Sequence, residues 1–507
     1  MVLKTLLSLL LPVVFVGTSS SALAQQFLSP SVRSTPAVSP VSLRHELHEL
    51  ETRWHTICSE LDGKPSISLR AALRFGLAHN PILSQNYAEI ASSLSSTSAI
   101  RLEWYPSLFF TQPNNAPWDL AIATQTSNQS ASGSATSYQS LQQLYSSPRL
   151  TLQWSFLDPT RAPRLNSQIS TLRSRQFLFD ISARNLVLDI QQSYYALQEA
   201  KELRSVYTEI YQLTKQQLAR ALQMRKQGMD TSGEISQIRT QLLEQLIQLI
   251  QLLQQELVAA NALARVMSLP PGEVRIPSDP LQPVEPWTTP LQKTIDEALA
   301  TREEIKNYLA NASSLSWSST ALAQRYWPSM ALLGQGQLTT NNQFQTTSGV
   351  QSASGTSSNA TLSNSVGVNF NWLMVDGGIL AAQSTALNQR SQAADFQASD
   401  MRYQVTQQVQ DSYANYLTNN IVIDTAHEQV YTAKDAVFQT SRNYNGTTVN
   451  ATTFNQTVRN YLTAVKSYKV SVRNLNIAVA SLYRYSARFP AAVQSDLASE
   501  NVNLVNP

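Results

Sequence analysis

The chain has 507 residues, of which only 14% are charged, and its formal net charge at pH 7 is +3. Soluble domains usually carry about 25% charged residues, whereas the hydrophobic share of this chain, 42%, is ordinary. Uncharged polar residues (Gln, Ser, Asn and Thr) take the place of the missing charged ones. They give a hydrophilic surface without a strong electrostatic field. Because the net charge is small and no basic cluster occurs, the composition predicts no nucleic-acid partner.

The N-terminus has the three parts of a secretory signal peptide. Lys4 supplies a positive charge, residues 6–16 form an apolar run, and Ala22, Leu23 and Ala24 make a small-x-small cleavage site. We therefore expect residues 1–24 to be removed. An uncleaved membrane anchor is the alternative, but the apolar run is shorter than the about 20 residues that a spanning helix needs.

Residues 25–66 form an N-terminal extension with a short amphipathic helix. Near the apolar side of this helix lie three histidines and the single cysteine of the chain, namely His45, His48, His55 and Cys58. Imidazole and thiolate would suit zinc or copper. Histidines at the margin of an amphipathic helix are a commoner reason for such a cluster, so we predict neither a metal nor a cofactor.

The chain repeats itself once, with an offset of about 220 residues. Residues 67–268 form the first copy, and residues 291–486 form the second. A proline-rich linker, 269–290, joins them, and residues 487–507 form a C-terminal tail. Matching residues occur in the same order in both copies: Leu69 and Leu291, Pro106 and Pro328, Trp154 and Trp372, Asp158 and Asp376, and Gly228 and Gly446.

Each copy contains two short segments in which apolar and polar residues alternate, which is typical of half-buried strands. Polar stretches rich in Ser, Gln, Asn and Gly separate the members of each pair, at about 114–147 and 340–364. Such stretches cannot bury enough apolar surface to fold alone, so we expect exposed loops there. The strands are expected near 107–112, 149–157, 329–338 and 365–375.

Long helices with heptad-like apolar spacing, typical of coiled coils, follow the strands. A helix over about 164–227 would be about 95 Å long at 1.5 Å per residue. Helices at about 68–103 and 234–267 each have half that length, with turns near 228–233 and 445–450 forming tips. The wide apolar arc of 234–267 suits a ring of helices, although a bundle helix with a glutamine-rich surface would share it.

On these features the chain resembles the TolC family of outer-membrane efflux and secretion channels. The resemblance covers about 67–486. It rests on the duplicated plan, on the x-Pro-Ser sequences at both helix-to-strand transitions, and on Val-Asp-Gly-Gly at 375–378 before the second long helix. The first copy departs from this last motif with Leu-Asp-Pro-Thr at 157–160, where Pro163 still permits a helix to start.

The resemblance implies a mainly α protein with a small antiparallel β part. Its duplicated helix-strand-strand-helix-helix repeat would form, as a homotrimer, a 12-stranded outer-membrane β-barrel on a long periplasmic α-helical barrel. Independently of the resemblance, four strands per chain are too few to close a barrel in a membrane, for which about eight is the lower limit. Several copies are therefore required to satisfy the strand edges.

The implied function is that of a passive export duct in contact with outer-membrane lipid, for tripartite efflux or type I secretion. A periplasmic adaptor protein and an inner-membrane pump or ABC exporter would open it. No phosphate loop, nucleophile elbow or metalloprotease helix occurs, so an enzyme is not predicted. The rival hypothesis, a secreted coiled-coil scaffold or adhesin without a pore, explains the heptads but not the four alternating strands.

Aromatic residues cluster at the strand ends nearest the helices, where they could form the periplasmic aromatic girdle of a membrane barrel. Capping of the junction between helices and strands is an equally good explanation of the same residues. The girdle candidates are Trp104, Tyr105, Trp154, Trp327 and Trp372.

In the TolC family the helical tips close the duct and dock the adaptor, and aspartates just past the second tip often form acidic rings. This chain has Thr452, Thr453, Asn455 and Gln456 there. Without a carboxylate, we expect weak block by multivalent cations, and we expect Asn455→Asp to create that block. The gate candidates are Arg442, Tyr444, Asn455, Gln456 and Asp230.

Overall fold

A computed structural model describes residues 40–111, 119–127, 137–228, 232–348, 353–444 and 449–489. The expected signal peptide, 1–24, lies outside these ranges, as does most of the expected tail. The chain divides into two units at Gly63, and helix α1 (Pro40–Asp62) belongs to the first of them. No helix within the described ranges combines the length and the apolar character that crossing a membrane requires.

The second unit contains the two copies. The first copy consists of β1 (Ser66–Ile67), α2 (Leu69–His79), α3 (Pro81–Leu102), β2 (Ser107–Thr111), β3 (Asp119–Ser127), β4 (Ser137–Ser146), β5 (Arg149–Leu157), α4 (Arg161–Lys226) and α5 (Ser232–Val266). Strand β6 (Ile276–Pro277) lies in the linker, and the second copy consists of α6 (Leu291–Thr301), α7 (Glu303–Ala323), β7 (Ser329–Ser348), β8 (Ala353–Asn371), α8 (Ile379–Arg442) and α9 (Ala451–Tyr485).

The prediction of one helix over 68–103 is wrong, because α2 and α3 are separate. Pro81 lacks the N–H that a continuous helix would use and is favoured at the first helical position. The Asn80 side chain caps the new helix by accepting a hydrogen bond from the Ile82 N–H at 2.9 Å. Arg302 separates α6 from α7 at the matching place in the second copy.

The prediction of exposed loops at 114–147 and 340–364 is also wrong. Strands β3 and β4 lie within the first stretch, and β7 and β8 extend through most of the second. Their Ser, Thr, Asn and Gln residues pair through backbone hydrogen bonds, which do not require apolar residues to alternate with polar ones. Apolar alternation in the sequence therefore revealed only the parts of the strands nearest the helices. Strands β5 and β4 pair with successive parts of one edge of β7, and β8 pairs with the other edge of β7. Strands β2 and β3 pair with β5 and β4 in turn, so the antiparallel sheet is four strand positions wide.

The helices lie side by side in a row. Helices α3 and α5 contact α4, which contacts α7 and α9, and these two contact α8. Helix α4 has 66 residues, or about 99 Å. Hydroxyl groups make many of the contacts near the sheet: Ser167 donates to the Ser314 carbonyl at 2.9 Å, and Ser391 donates to the Ala312 carbonyl at 2.8 Å. Polar packing of this kind is consistent with a chain poor in charge.

The linker packs against the first copy. Strands β1 and β6 pair in parallel, and the Asp279 carboxylate accepts hydrogen bonds from the Leu69 N–H and from the buried Tyr194 hydroxyl, each at 2.9 Å. Burial raises the pKa of Asp279, but these donors and Ser278 outweigh it and hold the pKa below its usual range. The carboxylate therefore stays ionised and keeps accepting these bonds at neutral pH.

A buried ion network lies where α7 begins and α9 ends. Glu304 accepts hydrogen bonds from the Arg302 guanidinium at 2.8 and 3.0 Å and forms an ion pair with Arg484. Arg484 also donates to the Asn185 side chain on α4 at 2.8 Å. Burial raises the pKa of Glu304, but the hydrogen bonds and charges of the two arginines lower it from 4.5 to about 2.

Candidate functional site

The sheet has one apolar and one mostly polar face. Its register places Leu108 opposite Leu152, and Leu152 and Val366 opposite the same glycine of β7. Apolar residues on this face are exposed to solvent in the single chain, which is unusual for a sheet packed on a soluble core. The exposed set comprises Leu108, Phe110, Leu150, Leu152, Trp154, Leu338, Leu362, Val366, Val368 and Phe370.

The other face carries a hydrogen-bonded ladder of polar side chains. The Gln337 amide oxygen accepts hydrogen bonds from Arg149 at 3.0 Å and from Gln335 at 3.2 Å. The Gln337 amide nitrogen donates to the Thr339 hydroxyl at 3.3 Å. At the helical end, residues of this face on three strands line a cavity of about 400 Å³. The polar face therefore borders a cavity at that end, which the residues of the strand-to-helix junctions help to enclose.

The same junction between strand and helix is built twice. The Trp154 indole N–H donates to the Trp104 carbonyl at 3.0 Å, and the Trp372 indole N–H donates to the Tyr326 carbonyl at 2.9 Å. Each tryptophan thereby joins the end of a strand to the end of the helix before it. These bonds agree with a junction-capping role for Trp154 and Trp372. Both residues lie on the apolar face, at the strand ends nearest the helices.

An aspartate follows each of these tryptophans and starts the next long helix. Asp158 accepts from the Thr160 N–H at 3.0 Å, and Asp376 accepts from the N–H groups of Gly378 and Leu380 at 2.9 and 2.8 Å. Gly378 has a φ of +87°, which favours glycine. The first copy has Thr160 at φ −73° instead. In the first copy the aspartate therefore holds only the residue before α4, without the bond to a helical N–H that Asp376 makes, and no glycine turn is present.

The remaining girdle candidates are largely exposed. The Arg161 guanidinium lies 4.7 Å from the ring centroid of Trp104, within the range of a cation–π contact. Tyr105 is 69% exposed. Trp327 is 66% exposed and lines the cavity on the polar face, unlike Trp154 and Trp372, which belong to the apolar face.

The two lateral edges of the helix row carry exposed apolar stripes. On α8 the stripe has seven-residue spacing, at Phe396, Tyr403, Leu417, Tyr431 and Phe438. The opposite edge carries exposed apolar residues on α5, namely Leu243, Ile247, Ile250, Leu257 and Val258, and exposed Tyr87 on α3. Heptad spacing on a face without a neighbour is typical of a helix whose coiled-coil partner belongs to another chain.

The tips are held by polar contacts between hairpins. The buried Tyr444 hydroxyl donates to the Glu234 carboxylate on α5 at 3.3 Å. Burial and the charge of Glu234 raise the pKa of Tyr444 to about 12, so the hydroxyl remains a donor at neutral pH. The Gln217 amide and the Arg220 guanidinium on α4 donate to Ser441 on α8, at 2.7 and 3.3 Å.

The other gate candidates have different surroundings. Arg442 lies 5.3 Å above the ring of Phe438. Asn455 is buried and donates to the Gln237 carbonyl at 3.4 Å, while Gln456 is exposed and donates to the Asn460 side chain. Asp230 lies outside the described residues. Sequence reasoning missed Gln217 and Arg220, because nothing in their local pattern shows which helix end they meet.

No group of three potential metal ligands occurs among the described residues. Within the N-terminal cluster, Cys58 is buried and His55 is exposed. The side chains of His45 and His48 lie outside the part of the chain whose side chains are described.

No known family model matches the chain, and no curated protein matches it in sequence. Solved structures do match. The CmeC outer membrane channel of Campylobacter jejuni has a TM-score of 0.67 at 13% identity, covering 86% of this chain and 90% of that one. The outer-membrane channel OprN has a TM-score of 0.64 at 14% identity, covering 83% and 90%. The open MtrE outer membrane channel of Neisseria gonorrhoeae has a TM-score of 0.61 at 14% identity, covering 83% and 89%.

The chain therefore has the fold of a group of outer-membrane channels. It is the TolC-like fold, which confirms the resemblance inferred from the duplicated plan and the junction motifs. The prediction of a mainly helical chain with a small antiparallel sheet is confirmed as well.

Proposed function

We propose that the protein is an outer-membrane export duct, a passive channel that serves tripartite efflux or type I secretion. The observation that carries this proposal is the sheet, which has an exposed apolar face and a polar face that borders a cavity, and which is joined to a helix of about 99 Å. Three matched structures are named as outer-membrane channels, which supports the same function.

In this proposal the apolar face contacts outer-membrane lipid and the polar face lines a water-filled lumen, as in other membrane barrels. The helices extend into the periplasm, and residues 1–24 direct export of the chain. Trp154, Trp372 and Trp104 lie at the lipid boundary on the periplasmic side. No cofactor is needed, since a duct only has to provide a path.

The lateral edges support a homotrimer. Strands β2 and β8 each have one described partner, and they lie at opposite edges of the sheet, as α3 and α8 do in the helix row. Because the two edges differ, copies would join edge to opposite edge and close into a ring. Three copies give twelve strand positions, which is enough for a membrane barrel.

We assign the gate to the tips, where an adaptor protein and an inner-membrane pump or ABC exporter would act. The contacts of Tyr444 with Glu234, and of Gln217 and Arg220 with Ser441, would hold the tip closed until the adaptor pulls the hairpins apart. Arg442 lies against Phe438 of the exposed stripe of α8 and would contact the neighbouring copy. Asp230 is proposed to lie on the first tip.

Recording in planar lipid bilayers tests the duct. Purified trimers are expected to insert and to give discrete, uniform conductance steps, because a closed polar lumen conducts ions. Folded trimers that repeatedly fail to conduct would contradict the proposal and would favour a secreted scaffold or adhesin.

A second prediction concerns block of the current by hexaamminecobalt(III), a trivalent cation, added on the periplasmic side. We expect weak block of the native protein and at least tenfold stronger block after Gln456→Glu, because three exposed carboxylates would focus a negative potential at the tip. The structure reverses our expectation from the sequence that Asn455→Asp would create this block. Asn455 is buried, so a carboxylate there should loosen the contact with Gln237 and add little block, which makes this variant the matched comparison. Strong block of the native protein would instead place acidic residues such as Asp230 at the constriction.

A further inference from the structure

The cavity at the helical end of the polar face has the size of a small-molecule site. Its volume is about 400 Å³, and ligand pockets commonly measure about 300–1,000 Å³. Its lining includes the amide side chains Gln153, Asn369 and Asn371 from the sheet, and Asp158, Arg325 and Trp327 from the junctions. The amides offer hydrogen bonds, and the indole offers an apolar surface.

Trp327 differs from the two tryptophans that cap the junctions. The indole N–H groups of Trp154 and Trp372 are committed to backbone carbonyls. The indole of Trp327 bonds to no other residue that the structure describes, and 66% of the side chain is exposed. An exposed, uncommitted indole on a polar face can stack against a planar ligand.

The cavity lining carries one acidic and one basic side chain, and only the acidic one is engaged by described neighbours. The Asp158 carboxylate accepts from the N–H and the hydroxyl of Thr160 and lies 3.7 Å from the Arg164 guanidinium. Arg325 is exposed and forms no ion pair with any described residue. Asp376, the nearby acid of the second junction, is occupied by Tyr326 and by the start of α8. An anionic group would therefore find Arg325 available.

We propose that this cavity binds an aromatic anion, such as an aryl sulfonate or aryl carboxylate, with its ring on Trp327 and its charge on Arg325. The proposal rests on the duct function and names a class of cargo that would pause at the barrel–helix junction. One stacking contact and one exposed charge give weak binding, with a Kd on the order of 0.1–1 mM. Weak binding suits a conduit, since a ligand must leave as readily as it enters.

The experiment titrates 2-naphthalenesulfonate into full-length protein in detergent, with binding measured by saturation-transfer difference NMR against empty micelles. Arg325→Gln and Trp327→Leu are each expected to weaken binding at least fivefold, whereas Arg325→Lys should retain most of it. Arg390→Gln removes an exposed cation from α8 that does not line the cavity, and should change nothing. Methanesulfonate and neutral 2-naphthalenemethanol should each bind the native protein at least fivefold more weakly.

Unchanged affinity in Arg325→Gln and Trp327→Leu, with both variants trimeric and helical by circular dichroism, would overturn the proposal. Equal binding of the neutral naphthalene would overturn the role of the charge. Bilayer recordings of the same preparations separate this proposal from the duct. Conducting trimers without the fivefold effects contradict only the cavity site, whereas specific binding by trimers that never conduct contradicts only the duct.

Discussion

The double variant Tyr403→Glu with Tyr431→Glu is expected to remain helical but to lose its trimeric state. Both residues belong to the exposed stripe of α8 and are 78% and 69% exposed in the single chain. In the proposed ring they would be covered by α3 and α5 of the next copy. Burying six carboxylates per trimer without partners is strongly unfavourable, so we expect at least a tenfold loss of trimer in size-exclusion chromatography with light scattering.

The matched control places the same two charges on the same helix, away from the stripe. Asn415→Glu with Gln429→Glu changes two exposed positions and should leave both the trimer and the conductance unaltered. A stripe variant that stays trimeric and conducts normally would show that the copies meet elsewhere. Loss of the trimer in both variants would mean that added charge, rather than its position, is responsible.

The substitution Glu304→Gln is expected to lower the free energy of unfolding by about 2–3 kcal/mol at pH 7, because the pKa of Glu304 falls from 4.5 to about 2 on folding. A carboxylate with a lowered pKa in the folded state stabilises that state above its unfolded pKa. This stabilisation is lost as the pH falls from 4.5 towards 2. The difference between native protein and variant should therefore be full at pH 6 and small near pH 2, measured by urea unfolding at fixed protein concentration.

The stability of the variant must be compared with that of the native protein at each pH, because another buried group, Asp180, makes the native protein more stable as the pH falls. Burial, and then the charge of Glu303, raise the pKa of Asp180 to about 6, so acidification relieves an unfavourable charge there. Glu297→Gln is the control, since its ion pair with Arg488 is largely exposed and should contribute less than about 1 kcal/mol. A Glu304→Gln effect that is independent of pH would mean that packing, not charge, explains it.

The sequence by itself determined the duplicated plan, the long helices and the helical ends of the strands. These features depend on residues close together in the chain: apolar alternation in β5, heptad spacing in the helices, and Asp376 immediately before α8. Such patterns set local structure directly, because a strand or a helix presents its side chains with a fixed period. The match between Trp154 and Trp372 also predicted two equivalent junctions, and both form the same indole-to-carbonyl hydrogen bond.

Only the tertiary structure decided where the strands end, which helix ends meet, and which side chains stay exposed. The outer parts of β7 and β8 are held by backbone pairing between polar segments, so their side chains carry no periodic signal. Asn455 and Gln456 are neighbours of similar chemistry, yet one is buried and the other exposed. Trp327 and Trp372 are both tryptophans at strand ends, yet one lines a polar cavity and the other caps a junction. These differences depend on residues far apart in the chain, which only folding brings together.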